Sequence, residues 1–154
     1  QLDRFMMKVH VGYPEFDAEK SVLDLKMASL DELKPILNTE SLATMKKAVE
    51  EIYVDEKLKD LIVKIVHATR PGNKFFPKKY EGAVMVGASP RAAIWLYKIS
   101  KYKAFLDGKD FVSPEHVLSL AKGVLGHRVI LSYEAVIDKV DVRDVVYDIA
   151  SGKL

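Results

Sequence analysis

Apolar residues recur along most of this chain at intervals of three and four, the spacing that gathers them on one face of an α-helix. Leu58, Leu61, Ile62, Ile65 and Val66 keep that spacing behind Asp55, a residue suited to the N-cap. Thr39 or Ser41 opens an earlier helix carrying Leu42, Met45, Val49 and Ile52, and Asp17 opens another with Val22, Leu23 and Met27. A short helical piece is expected around Leu30 to Leu37. Ser89-Pro90 starts a helix whose stripe is Ala92, Trp95, Leu96, Ile99 and Leu106, ended by Asp107-Gly108. Ser113-Pro114 repeats the device before Val117, Leu120, Ala121, Val124 and Leu125. Asp141 caps a last helix through Val145, Val146 and Ile149.

Two stretches leave this period. Phe5, Met7, Val9 and Val11 alternate with other residues, which predicts a strand that Gly12-Tyr13-Pro14 ends. His127 to Leu131 reads as a short extended piece. Residues 71–86, opened by Pro71-Gly72, read as a loop or irregular link. The pattern therefore predicts an all-α helical bundle with a single strand at its N-terminal end.

Composition narrows the class without naming a chemistry. The 154 residues are 49% hydrophobic and 30% charged, which fits one globular domain rather than disorder. A formal net charge of +2 is too mild for a dedicated nucleic-acid binder. Cysteine is absent, so thiolate chemistry, disulfides and Cys-bound metals are out. No apolar run reaches the ~18 residues that span a bilayer, and no secretory signal is recognisable. The expected setting is cytoplasmic. The chain starts at Gln1 directly before the strand-like segment, and it reads as a piece of something longer.

Candidate chemistry gathers at Gly87-Ala88-Ser89-Pro90-Arg91-Ala92. A helix that starts there points free N–H groups and the positive end of its dipole at one spot, which favours an anion. Arg91 in the first turn adds a planar fork matched to phosphate oxygens. The local pattern is met equally by a capped helix whose arginine faces solvent. Lys74, Phe75, Phe76, Pro77, Lys78, Lys79 and Tyr80 interleave basic and aromatic residues, as a nucleic-acid contact would; a turn with its aromatics folded onto the core is the simpler reading. His10, His67, His116 and His127 show no metal-binding spacing. No phosphate loop, dinucleotide fingerprint or nucleophile elbow is present.

Five stretches, in order, resemble the MoxR family of AAA+ ATPases, which are chaperone-like motors. Gln1 to Lys8 with Gly12-Tyr13-Pro14 is similar to the end of the ATPase core. His67-Ala68-Thr69-Arg70 resembles the close of a lid helix, and Gly87 to Ala92 resembles the sensor 2 motif. Phe111-Val112-Ser113-Pro114-Glu115 and His127-Arg128 follow in the family's order. The resemblance implies a division into residues 1–14, the last strand of the core, and residues 15–154, a helical lid. It assigns Arg4 as the arginine finger that reaches a neighbour's ATP, and Arg91 as the sensor 2 residue for the chain's own nucleotide. Ser89 and Tyr13 are implied as further nucleotide-binding residues. ATP and Mg are the implied cofactors of the parent protein, with none expected on this piece, since Walker A, Walker B and sensor 1 have no counterpart here. For the same reason the piece alone is expected to be inactive, although the parent would hydrolyse ATP. Implied partners are neighbouring subunits of a homo-oligomeric ring, a hexamer, and a von Willebrand factor A-domain protein, with no membrane. Two other classes stay open on the residues alone: a non-enzymatic helical adaptor, and a nucleic-acid module using residues 74–80.

Overall fold

The helical period is realised almost everywhere it was read, in a computed structural model that describes residues 1–24 and 34–152. A 3-10 turn at Leu2–Arg4 is followed by α1 (Phe16–Val22), α2 (Thr39–Glu51), α3 (Glu56–His67), α4 (Pro90–Leu106), α5 (Pro114–Leu125), α6 (Tyr133–Ile137) and α7 (Val142–Ser151). Two short strands, β1 (Val84–Val86) and β2 (Ile130–Leu131), pair antiparallel with Val84 opposite Leu131 and Val86 opposite Ile130. A second 3-10 turn, Lys78–Tyr80, lies inside the link. The helix expected around 30–37 and Met27 of the first stripe lie wholly or partly outside the described residues; within them, 34–38 are not helical.

Three caps sit where the sequence put them, because a cap is decided within four residues, whereas α1 begins behind Glu15 with Asp17 already inside its first turn. Asp55 accepts from Lys57 N at 2.8 Å, and Asp141 accepts from Arg143 N at 2.8 Å. Ser113 forms a capping box with His116, whose Nδ1 accepts from Ser113 N at 3.0 Å. The cap of α2 is Asn38 rather than Thr39 or Ser41, since its amide oxygen reaches both Ser41 N (2.7 Å) and Ser41 Oγ (2.8 Å). Gly108, with φ +67°, turns the chain out of α4 where a side chain would strain. Helix α6, capped by Ser132 accepting from Ala135 N, had no apolar period long enough to announce it.

Helix α4 runs through the centre, packed on α2, α3 and α5, with α7 closing over α5. Ala92, Leu96 and Ala104 of α4, and Val117, Ala121, Val124 and Leu125 of α5, are fully buried. Small side chains at Ala92, Ala104 and Ala121 let helices approach closely. Of the expected stripes, Leu106 is exposed and Trp95 only partly buried, and in α2 Leu42 and Met45 face out while Val49 and Ile52 are buried. Thr69 is buried with both roles satisfied, its Oγ1 donating to the Val66 carbonyl and accepting from Ala88 N.

The N-terminal segment departs from the strand expected over Phe5 to Val11. These residues join no ladder, and the bundle's two strands lie elsewhere. Backbone groups need partners, and here α5 and its C-terminal arginine supply them instead of a sheet. Lys8 N donates to the Gly123 carbonyl at 2.9 Å, and Gly123 leaves room for Met7, whose Cε would stand 2.9 Å from an added Cβ. Met6 and Met7 pack against the core, whereas Phe5, Val9 and Val11 stay exposed.

The acid response of α7 follows from its cap. Asp141 accepts from the Arg143 side chain at 2.6 to 3.1 Å as well as from its backbone, and this holds its pKa at about 2, below the ordinary aspartate value of 3.8. A depressed carboxylate contributes stability above its unfolded pKa and loses it as pH falls through the folded value. The contribution of Asp141 should therefore fade between pH 3.8 and about 2. Thermal melts of the native chain and of Asp141→Asn should converge across that window; a constant gap would refute the assignment.

Candidate functional site

The candidate site forms where the N-terminal turn meets the start of α4, and two backbone contacts position it. Arg70 Nε donates to the Ala88 carbonyl at 2.9 Å, and Thr69 Oγ1 takes Ala88 N at 2.9 Å. Chain passes so close here that a Cβ on Gly87 would lie 2.4 Å from the Thr69 carbonyl oxygen and 2.6 Å from Arg70 Cα. Only glycine fits. This explains in physical terms why Ala68-Thr69-Arg70 and Gly87-Ala88 act as one unit across the intervening loop. Gly87→Ala forces backbone apart and should cost about 1–3 kcal/mol. A melting temperature within error of the native chain's would contradict it.

Ser89 stands at the N-cap of α4 but does not cap it. Its hydroxyl instead donates to the Asp3 carboxylate, 3.0 Å from either oxygen. Arg91 Nη1 lies 3.5 Å from the same carboxylate, a loose contact that leaves most of the fork free, and its side chain is half exposed. Asp3 also accepts from Arg128 Nε at 3.1 Å. So one carboxylate occupies the anion-favouring mouth of α4 and is held by a hydroxyl and two guanidinium groups.

Arg128 is the anchor of this arrangement. Its side chain has no exposed surface, and its fork donates to the carbonyls of Asp3 (3.0 Å), Met6 (3.3 Å), Phe5 and Val124. Burial pulls its pKa down from the usual arginine value while Asp3 opposes that, and a guanidinium stays charged regardless. His127 beside it sets Nε2 3.3 Å from the Phe5 carbonyl, and only the protonated ring nitrogen can bond there. Burial first, then the charge of Arg128, lowers the His127 pKa below the usual imidazole value.

Of the four residues singled out in the sequence, Ser89 and Arg91 come together with Asp3. Arg4 follows Asp3 in the chain, is exposed, and makes no hydrogen bond or ion pair among the described residues. Tyr13 is fully exposed, beyond the point where the segment leaves the bundle. Asp3 and Arg128 carry no mark in the local pattern that shows them as a pair, since 125 residues separate them. The basic-aromatic link takes the simpler of its readings: Phe75, Phe76 and Tyr80 pack against the core, and Tyr80 donates to Asp148 at 2.7 Å.

Residues 80–149 match the model of the AAA lid domain. Chaperone MoxR1 of Mycobacterium tuberculosis is 31% identical over 146 residues, which are 95% of this chain and 39% of that protein. The chain belongs to the MoxR family. The uncharacterized protein YeaC of Bacillus subtilis is 33% identical to this MoxR-family chain over 154 residues, covering 99% of it and 45% of YeaC. The crystal structure of a candidate ATPase from Cytophaga hutchinsonii superposes on the MoxR-family chain with a TM-score of 0.87 at 30% identity, over 97% of it and 46% of that protein. The chain thus spans less than half the length of each of these relatives. No helix among the described residues is long and apolar enough to cross a membrane.

Proposed function

We propose that this MoxR-type lid contributes to ATP binding and hydrolysis in a ring of identical subunits, a hexamer, that works as a chaperone-like motor alongside a von Willebrand factor A-domain protein. One observation carries the reading: an anionic group already sits at the mouth of α4, held by Ser89 and approached by Arg91. The same donors suit the terminal phosphate of a nucleotide, which is more highly charged than a carboxylate and takes an arginine fork in two places. Arg91 would then orient and neutralise the phosphate oxygens of its own subunit's ATP. Arg4, exposed one residue beyond the Asp3 anchor, would face the nucleotide of a neighbour, where positive charge on the equatorial oxygens speeds phosphoryl transfer. Tyr13, fully exposed, would lie against the base. Among the described residues no group of three His, Cys, Asp or Glu could hold a metal.

The test is ATP turnover by the ring-forming protein that carries this lid. Arg91→Ala should lower turnover by on the order of tenfold or more without changing the melting temperature, because the side chain is half exposed. Unchanged turnover at equal nucleotide occupancy would overturn the proposal.

A further inference from the structure

Two surfaces lack partners among the described residues and complement each other. The first is a cavity of about 460 Å³ between α3, the link and the end of α7, with Ile65, Phe76 and Ile149 in its wall and Lys64, Lys74 and Lys78 around it. That volume lies within the range of recognition pockets. Among the described residues no carboxylate lines it. Lys64 and Lys74 both stand over the ring of Phe75, at 5.2 and 4.9 Å from its centre. Lys59, Lys79, Lys103 and Lys122 each pair with an acid, whereas these three cations make no ion pair among the described residues.

The second surface is α1, none of whose residues is buried. Phe16 is 80% exposed, and Glu15, Asp17 and Glu19 surround it in sequence. An aromatic side chain flanked by carboxylates is the chemistry the lysine-rimmed groove lacks. We propose that the groove is the docking site for α1 of a second copy of this chain, with Phe16 entering the apolar cavity and Asp17 and Glu19 meeting Lys64 and Lys74. The contact is heterologous, since each copy offers a groove to one neighbour and α1 to another, and such contacts build rings or open chains rather than closed pairs. It does not depend on the roles proposed for Arg4 and Arg91.

Sedimentation equilibrium of the 154-residue chain over a range of concentration and salt tests this. The average mass should rise with concentration, and the rise should weaken in high salt. Lys64→Glu with Lys74→Glu should weaken association about tenfold or more, as should Asp17→Lys with Glu19→Lys. Mixing the two double variants should restore it, because the reversed charges again match. Phe16→Ser should weaken it with no rescue, and Lys98→Glu on α4 should change nothing. A monomer at every concentration, or association untouched by these changes, would overturn the proposal. So would mixed variants that fail to associate.

Discussion

Replacing Arg4 by alanine in the assembled ring should lower ATP turnover by about 10³-fold, the scale on which an arginine supplied to the transferring phosphoryl group acts. The loss should be repairable from outside the subunit. An Arg4→Ala subunit keeps its own nucleotide pocket, so neighbours that bind ATP without cleaving it, but carry a sound Arg4, should return part of its turnover. An Arg91→Ala subunit carries its defect inside that pocket, and the same neighbours should return nothing. The asymmetry is the readout. Equal rescue of both variants, or of neither, would show that the trans and cis roles are misassigned. Both side chains are exposed, so neither change should disturb folding.

Arg128→Met should lower stability by ~3 kcal/mol, a drop in melting temperature of roughly 10 °C. Methionine keeps the apolar stem but removes every donor from the fork. Asp3, Phe5, Met6 and Val124 then lose a charged partner in a site with no exposed arginine surface. The damage should be local at first. Amide exchange at Lys8, whose N–H is tied to Gly123, should speed up far more than exchange in α4. Arg128→Lys should rescue little, because an ammonium cannot reach the same set of carbonyls from one planar fork. Unaltered protection at Lys8 in the methionine variant would disprove the anchoring role. Without this anchor the turn that carries Arg4 loses its hold on the bundle, so turnover should fall together with order in the N-terminal turn.

What could be read from the residues alone was what adjacent residues decide. Asp55, Ser113 and Asp141 mark helix starts because a cap and its N–H lie two or three positions apart. The stripe of α3 and the buried row of α5 follow from a period of 3.6, which any window of a dozen residues reveals. The start of α4 at Pro90 was legible on the same terms.

Tertiary structure decided the rest, wherever the deciding partner lies far along the chain. Leu42, Met45 and Leu106 keep the helical spacing yet face out, because no other element among the described residues covers them. The alternation of Phe5, Met7, Val9 and Val11 implies a strand only if a neighbouring strand offers its backbone. Here the Gly123 carbonyl and the Arg128 side chain take that place, so the segment becomes a strap instead. Ser89 has the side chain of a cap, but its hydroxyl turns to donate to a carboxylate 86 positions away. In that orientation its oxygen accepts no N–H from the first turn of α4, and only folding brings Asp3 within reach.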